Sequence, residues 1–268
     1  MVTGAGSPIG IGHAITLALL QAGARVAMLD VQAAWLAESA AEAQSLAGPG
    51  SVLPIVADVS QPEDAQAAVA RTVAELGGLN ILVNNAGIGL APGETTDTTD
   101  FWDIRPESWF KIAGVNYFGP FLMARAAAPH LLRQRWGRII GVTTSLDTMW
   151  GKRNPAYGTS KAGHEAFVAS MSQALEGTGV TANVLVPGGS TGTNLHGPHS
   201  TRDRTSMLRP EIMQAPALWL SSPASDGFTG KRIIAQRWDE ALPLDERLAR
   251  ASAPAAWQAL GRQAIHAG

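Results

Sequence analysis

Apolar runs alternate with longer helical segments along most of this chain. The apolar runs predict a set of strands at 25–30, 52–57, 80–84, 138–143, 181–186 and 232–235. The segments between them predict helices at 14–20, 31–47, 62–76, 106–135 and 156–176. The predicted strands are mostly apolar rather than alternating, which is typical of a parallel sheet covered on both faces. The order of strands and helices therefore predicts an α/β fold with a doubly wound parallel sheet, in three layers (α/β/α).

The 268 residues suit a single domain that spans 1–268, in which 238–268 forms a carboxyl-terminal extension. The central first strand of a doubly wound sheet would have to end just before Gly4. Only Met1, Val2 and Thr3 are available to form that strand. We therefore expect a truncated first strand. Either the natural start lies upstream, so that the amino terminus has been shortened, which is our hypothesis, or the site is held by a short stub of a strand.

Composition excludes several classes of function. The net charge is −2, so the chain lacks the basic surface that nucleic-acid binding needs. There are no cysteines, which excludes disulfides, zinc–thiolate sites and a cysteine nucleophile, and the histidines lack metal-ligand spacing, so no metal site is expected. No apolar run approaches the ~20 residues of a membrane span, and the amino terminus does not resemble a secretory signal. We expect a cytoplasmic protein without a membrane or nucleic-acid partner.

A glycine-rich turn stands near the start of the chain, before an apolar helical segment. Its candidate phosphate-binding residues are Gly4, Gly6, Ser7, Gly10, Ile11 and Gly12. Glycines let backbone N–H groups approach a phosphate closely, and a helix amino terminus adds a favourable dipole. Asp30, at the end of the next predicted strand, either accepts hydrogen bonds from an adenosine ribose or caps the following helix. Because an acid there repels a 2′-phosphate and no Arg or Lys directly follows it, the pattern favours NAD over NADP.

Tyr157 and Lys161 lie four residues apart near the start of a predicted helix, so their side chains share one face. A free tyrosine has a pKa of about 10 and is a poor acid or base near neutrality. A cation held beside the phenol favours its ionised form and lowers its pKa. Such a phenol can exchange a proton with an alcohol or with a forming alkoxide. The pair is therefore either an acid/base site or two neighbours on a helix surface.

Six motifs in a consistent order resemble those of the short-chain dehydrogenase/reductase family, in its shorter type, over nearly the whole chain. They are the glycine turn with an apparent insertion at Pro8 and Ile9, Asp58 and Val59, Asn84 to Gly87 (NNAG), Asn116, Tyr157 with Lys161, and Pro187 and Gly188 followed by Thr191 and Thr193. The resemblance implies that Asp58 and Val59 contact adenine. It implies that Asn85, Ala86 and Gly87 line the cofactor and that the segment from Pro187 meets the nicotinamide.

The resemblance also implies catalytic roles. Tyr157 would exchange a proton with the substrate oxygen while hydride moves to or from the nicotinamide. Lys161 would lower the pKa of that tyrosine and bind the nicotinamide ribose, and Asn116 would hold a water that links Lys161 to solvent. The position of the family's active-site serine falls on Thr144, with Ser145 next to it. Spacing favours Thr144, whereas a shift of the loop by one residue would present Ser145.

The expected function is that of an NAD(H)-dependent oxidoreductase that interconverts a secondary alcohol and a ketone. The alternative is a catalytically silent nucleotide-binding regulator on the same fold, an idea supported by Thr144 at the serine position and by the truncated first strand. The residues that would select a substrate fall in irregular segments at 87–103, 148–154 and 190–210, so the sequence does not specify which alcohol or ketone is used.

Family members often form homodimers or homotetramers, so a homo-oligomer is expected. The apolar faces of 118–132 and 162–175 either pair with a partner subunit or belong to the core. The extension at 238–268 is expected either to cover the substrate cleft or a subunit contact, or to be a surface-packed or partly disordered tail.

Overall fold

The computed structural model describes residues 1–89, 100–152, 154–196 and 203–258. Within them, one sheet is built from β1 (Val2–Thr3), β2 (Val26–Asp30), β3 (Val52–Val56), β4 (Ile81–Asn84), β5 (Gly137–Val142), β6 (Val180–Val186), β7 (Lys231–Ile234) and β8 (Ser252–Pro254). The strand order is β3-β2-β1-β4-β5-β6-β7-β8. The pairs are parallel except for β7 and β8, which are antiparallel. The predicted doubly wound α/β sheet is confirmed.

Helices cover both faces of the sheet. They are α1 (Ile11–Gln21), α2 (Ala33–Ala47), α3 (Pro62–Leu76), α4 (Pro106–Ala113), α5 (Gly119–Gln134), α6 (Leu146–Met149), α7 (Pro155–Ala174), α8 (Gln214–Ser221) and α9 (Leu244–Ala251). On one face, Leu82 and Ile139 pack against residues of α3, α5 and α7. On the other face, their chain neighbours Val83 and Ile140 pack against α1, α2 and α8. Successive strand residues point to opposite faces, so burial on both sides explains why the strands are continuously apolar.

The first strand is two residues long although it lies at the centre of the sheet. Val2 pairs with Met28 on β2 and with Val83 on β4. Just before it, the Met1 amino group donates to the Ile81 carbonyl oxygen at 2.8 Å. The short strand that the sequence predicts before the glycine turn is therefore paired on both sides.

The long predicted helix at 106–135 is interrupted. A π-helical turn at Gly114–Phe118 joins α4 to α5. A single wider turn of this kind shifts the register of side chains along a helix and is frequent at functional sites. Here the turn carries Asn116, which is completely buried.

The described part of the carboxyl-terminal extension is packed rather than loose. It contains α9 and β8, and β8 extends the sheet by pairing Arg232 with Ala253 and Ile233 with Ser252. Neither expectation for this segment included a strand. Its sequence, Ser-Ala-Pro, has no β-branched or aromatic residue, so local propensity gave no signal and the pairing depends on the edge offered by β7. Residues 259–268 lie outside the described residues.

Candidate active site

The predicted site residues gather at one edge of the sheet. They follow the carboxyl ends of consecutive strands, namely Gly4 after β1, Asp30 at the end of β2, Asp58 after β3, Asn85 after β4, Thr144 after β5 and Pro187 after β6. The strand order reverses between β1 and β4. In open α/β sheets, a crevice forms at such a reversal and receives the ligand.

The glycine turn depends on close backbone packing. Gly4 has a φ of +64°, and a Cβ added at Gly12 would lie 2.4 Å from the carbonyl oxygen of Gly4. A Cβ added at Gly6 would lie 2.8 Å from the side chain of Asp30. These contacts require glycine and hold the turn against the ends of β1 and β2. Ile11 begins α1 and remains partly exposed.

The amino end of α1 is open to a ligand. Gly10 precedes the helix without a side-chain cap, and the first turn has no acidic residue. The Gly10 N–H itself donates to the Ser7 carbonyl oxygen at 2.8 Å, which closes the turn that contains Pro8 and Ile9. An uncapped helix amino terminus with a glycine-rich approach fits a phosphate.

Asp30 is bound to the glycine turn. Its Oδ2 accepts from the Gly6 N–H at 2.9 Å, and its Oδ1 accepts from the Gln32 N–H at 2.9 Å. The residue is partly exposed, and each carboxylate oxygen can accept a further hydrogen bond. The carboxylate thus orders the turn while it still presents acceptors to the crevice. Helix α2 begins at Ala33 after Gln32, so Asp30 stands before the helix cap position.

Asp58 and Val59 lie in the loop that follows β3. Asp58 Oδ1 accepts from the Ser60 N–H at 2.9 Å and from the Ser60 hydroxyl at 2.7 Å. Val59 is buried against Gly119, where an added Cβ would lie 2.9 Å from a Val59 methyl carbon. These contacts fix the loop after β3 against α5.

The NNAG segment ties β4 to the glycine turn. Asn85 Nδ2 donates to the carbonyl oxygens of Thr3 and Gly4, at 2.8 and 3.1 Å. The N–H groups of Asn85 and Ala86 both donate to the Thr3 hydroxyl at 3.0 Å. Gly87 follows, and a Cβ added there would lie 3.1 Å from Lys161 Nζ. The segment therefore connects the turn of the predicted cofactor site to the predicted catalytic lysine.

Tyr157, Lys161 and Thr144 converge beside this segment. Asn154, with a φ of 55°, caps α7 by accepting from the Tyr157 N–H at 3.3 Å. Lys161 is buried, its Nζ donates to the Val142 carbonyl oxygen at 2.9 Å, and the same nitrogen lies 6.0 Å from the centre of the Tyr157 ring. A hydrogen bond joins the hydroxyls of Tyr157 and Thr144.

The pKa of Tyr157 corrects one expectation from the sequence. Burial raises it to about 12, and the hydrogen bond with Thr144 acts in the lowering direction. Burial also lowers the pKa of Lys161 to about 8. In this state the pKa of the phenol therefore lies above its usual range, because burial disfavours the ionised form. At neutral pH, Tyr157 is a neutral phenol that can donate a proton.

Asn116 is anchored to the loop after β4. Its Oδ1 accepts from the Ile88 N–H at 2.8 Å, and its Nδ2 donates to the Ile88 carbonyl oxygen at 2.9 Å and to the Ser160 hydroxyl at 3.1 Å. Ser160 in turn donates to the Tyr157 carbonyl oxygen at 2.7 Å. The amide thus joins the NNAG loop to the first turns of α7. The water-holding role implied by the family resemblance stays a prediction.

The two candidate hydroxyls occupy different positions. Thr144 is hydrogen-bonded to Tyr157, and its carbonyl oxygen accepts from Arg232 Nη2 at 2.8 Å. Ser145 precedes α6, and its carbonyl oxygen accepts from the Thr148 N–H at 3.0 Å. The geometry agrees with the spacing argument, which favours Thr144.

The segment after β6 borders the other side of the crevice. Gly188 has a φ of +97°, and Pro187 O accepts from the Gln236 N–H at 3.0 Å. The Thr193 N–H donates to the Thr191 carbonyl oxygen at 2.8 Å. The next residue, Asn194, donates through Nδ2 to the Ser7 hydroxyl at 3.1 Å, so this segment reaches the glycine turn.

Sequence reasoning missed several residues that hold the site together. Thr3 and Asn194 contact the NNAG segment and the glycine turn, whereas Glu165 and Arg232 contact the loop that carries Thr144. The sequence could have placed Glu165 near the site, because it lies four residues after Lys161 and so shares the same face of α7.

Two negative findings apply to the described residues alone. In 1–89, 100–152, 154–196 and 203–258, no group of three or more His, Cys, Asp or Glu side chains could hold a metal ion. Over the same parts of the chain, no helix combines the length and apolar character needed to cross a membrane.

The chain is similar to several known proteins. A profile of the family described as short chain dehydrogenase matches residues 1–203. A short chain dehydrogenase of Pseudocercospora fijiensis is 36% identical over 188 residues, which are 70% of this chain and 58% of that protein. A 2-(R)-hydroxypropyl-CoM dehydrogenase of Xanthobacter autotrophicus is 36% identical over 189 residues, which are 70% of this chain and 72% of that protein. The crystal structure of a 3-ketoacyl-(acyl-carrier-protein) reductase from Brucella melitensis, complexed with NADH, has a TM-score of 0.73 at 27% identity and covers 85% of this chain and 91% of its own.

Proposed function

Because this chain belongs to the short-chain dehydrogenase family, we propose that it is an NAD(H)-dependent oxidoreductase that interconverts a small secondary alcohol and a ketone. The observation that carries the proposal is the convergence of Tyr157, Lys161 and Thr144 beside the glycine turn. The Tyr157 and Thr144 hydroxyls are hydrogen-bonded, and Lys161 Nζ lies 6.0 Å from the phenol ring. A surface pair would not have a buried amine.

The residues at the strand ends fit a dinucleotide. The uncapped start of α1 provides N–H groups for the pyrophosphate, and the close packing at Gly4, Gly6 and Gly12 holds the turn that leads into this helix. We expect the cofactor to contact Ser7, Ile11, Asn85, Ala86 and the segment from Pro187 to Thr193 as well. When bound, the nicotinamide supplies or accepts the hydride.

Asp30 favours NAD over NADP. Its carboxylate is fixed by the Gly6 and Gln32 N–H groups at the end of β2, where the adenosine ribose would lie. A carboxylate accepts hydrogen bonds from ribose hydroxyls but repels a 2′-phosphate. The NADH complex of the Brucella reductase belongs to that protein and supports the choice only by likeness.

Tyr157 is the general acid for ketone reduction. Its pKa, raised to about 12 by burial, keeps the phenol protonated at neutral pH, so it can give its proton to the substrate oxygen. Thr144 donates a hydrogen bond to the same oxygen as charge develops on it. Lys161 supplies positive charge near the phenol, and Asn116 keeps the loop after β4 in place through Ile88. In the oxidation direction, the same groups act in reverse.

Exposed aromatic side chains favour a homo-oligomer. Tyr117, Phe118 and Phe121 lie on the π-helical turn and the start of α5, and they are 39, 54 and 43% exposed. Phe121 also contacts Phe167 of α7, with ring centres 5.8 Å apart. A contiguous apolar face of this kind is typical of a subunit contact.

The test is a spectrophotometric NADH assay over a panel of secondary alcohols and ketones, with Tyr157→Phe as the control variant. We expect turnover in the wild type and a loss of about 10²–10⁴-fold in kcat for the variant, because the acid/base group is removed. Its NADH affinity, measured by titration, should be nearly unchanged. Cofactor binding without turnover over the whole panel would point instead to the silent nucleotide-binding regulator.

A further inference from the structure

A buried ion pair holds the loop that carries Thr144. The Thr143 hydroxyl donates to Glu165 Oε2 at 3.0 Å, and Arg232 Nη2 donates to the Thr144 carbonyl oxygen at 2.8 Å. Arg232 Nη1 lies 3.6 Å from Glu165 Oε1, so the two charges compensate each other. Glu165 is 0% exposed and Arg232 is 4% exposed. The pair thus restrains the loop both at Thr144 and at the residue before it.

Helix α7 links this pair to the acid/base residues. Lys161 and Glu165 lie four residues apart on α7 and therefore share one face. Lys161 Nζ donates to the Val142 carbonyl oxygen at 2.9 Å. Each of the residues 142, 143 and 144 is therefore held by a buried charged side chain of α7 or β7.

The carboxyl-terminal segment completes the hydrogen bonding of the carboxylate. The Ala256 N–H donates to Glu165 Oε1 at 3.1 Å, and the Ala255 N–H donates to the Gly230 carbonyl oxygen at 2.9 Å. β8 places Ala253 opposite Arg232 on β7. The segment at 252–256 is therefore a third support of the same loop.

Stability alone does not account for such a pair. Removing two charges from water is expensive, and apolar residues of similar volume are often equally stabilising or better. We propose that Glu165 and Arg232 are positioning residues that fix the Thr144 hydroxyl beside Tyr157, with 252–256 as their backbone support. This inference rests on the proposed oxidoreductase function and extends it to groups that do not touch the substrate.

The test uses the paired substitution Glu165→Leu with Arg232→Met, which removes both charges and leaves no lone buried charge. We expect kcat to fall by about ten- to a hundred-fold, because a small displacement of an aligned group has effects of this size. The KM for NADH should stay unchanged. In a Thr144→Ala background, the paired substitution should cause no further loss of kcat, since its effect passes through that hydroxyl.

A control is available at the other end of β5. Arg138 is 1% exposed and pairs there with Asp226, which is largely exposed, away from the crevice. Arg138→Met with Asp226→Asn should change the melting temperature while kcat stays at the wild-type value. This control separates a general loss of packing from a specific loss of alignment.

The outcomes are distinct. A wild-type kcat in the paired variant, or an equally large loss in the Thr144→Ala background, overturns the positioning role while the proposed function stands. A wild type without turnover refutes the proposed function, and the positioning role with it. Should the paired variant fail to fold, Arg232→Lys serves in its place, because it keeps the charge but shortens the reach to the Thr144 carbonyl oxygen. Its kcat is then compared with that of the wild type, and the comparison is repeated in the Thr144→Ala background.

Discussion

Replacement of Thr144 by valine tests the oxygen-binding hydroxyl directly. Valine keeps the branched shape and removes the only polar atom of the side chain. In the structure, this hydroxyl is hydrogen-bonded to Tyr157 and acts to lower the pKa of that phenol. Thr144→Val should therefore weaken stabilisation of the substrate oxygen and also raise the pKa of Tyr157 further.

The expected size follows from the kind of hydrogen bond that is lost. A hydrogen bond to a charged group contributes about 1.5–3 kcal/mol. Because 1.36 kcal/mol corresponds to a factor of ten in rate, kcat should fall about ten- to a hundred-fold. In alcohol oxidation the phenolate is the base, so activity rises with pH, and that rise should move to higher pH in Thr144→Val.

The assay is steady-state NADH formation or consumption across a pH series. Thr144→Ser keeps the hydroxyl and should retain most of the wild-type activity. Ser145→Ala is the neighbouring control and should change kcat little, since Ser145 precedes α6 and Thr144 is the residue that acts on the Tyr157 phenol. A larger loss in Ser145→Ala than in Thr144→Val would refute the assignment of the hydroxyl.

Three further predictions concern the cofactor, the buried amine and the subunit contact. Asp30→Ala removes the acceptor of the Gly6 N–H, so NADH affinity should fall about ten-fold and the preference over NADPH should shrink, as fluorescence titration of both would show. Burial lowers the pKa of Lys161 from 10.5 to about 8. Between these values the unfolded chain binds a proton that the folded protein does not, so stability should rise with pH in denaturant titrations, and Lys161→Met should lack that rise. Phe121→Glu places a charge on the exposed aromatic face and should lower the molar mass measured by analytical ultracentrifugation. An unchanged molar mass would argue against this face as the subunit contact.

Local patterns in the sequence were sufficient for most of the fold. Strands buried on both faces must be apolar throughout, so β2 to β6 are visible as short apolar runs. The glycine turn was also readable, because close approach of the Gly4 and Gly12 backbones tolerates no Cβ. The spacing of Tyr157 and Lys161 predicted a shared helix face, since side chains four residues apart on a helix are neighbours.

Tertiary structure decided the properties that depend on contacts between distant segments. The pKa of Tyr157 is raised to about 12 because the phenol is buried, and four-residue spacing contains no information on burial. The pairing of β8 with β7 depends on an open sheet edge rather than on the propensity of Ser-Ala-Pro. The contact between Arg232 and the Thr144 carbonyl oxygen joins residues 88 positions apart, so only the folded sheet brings the positioning pair to the loop.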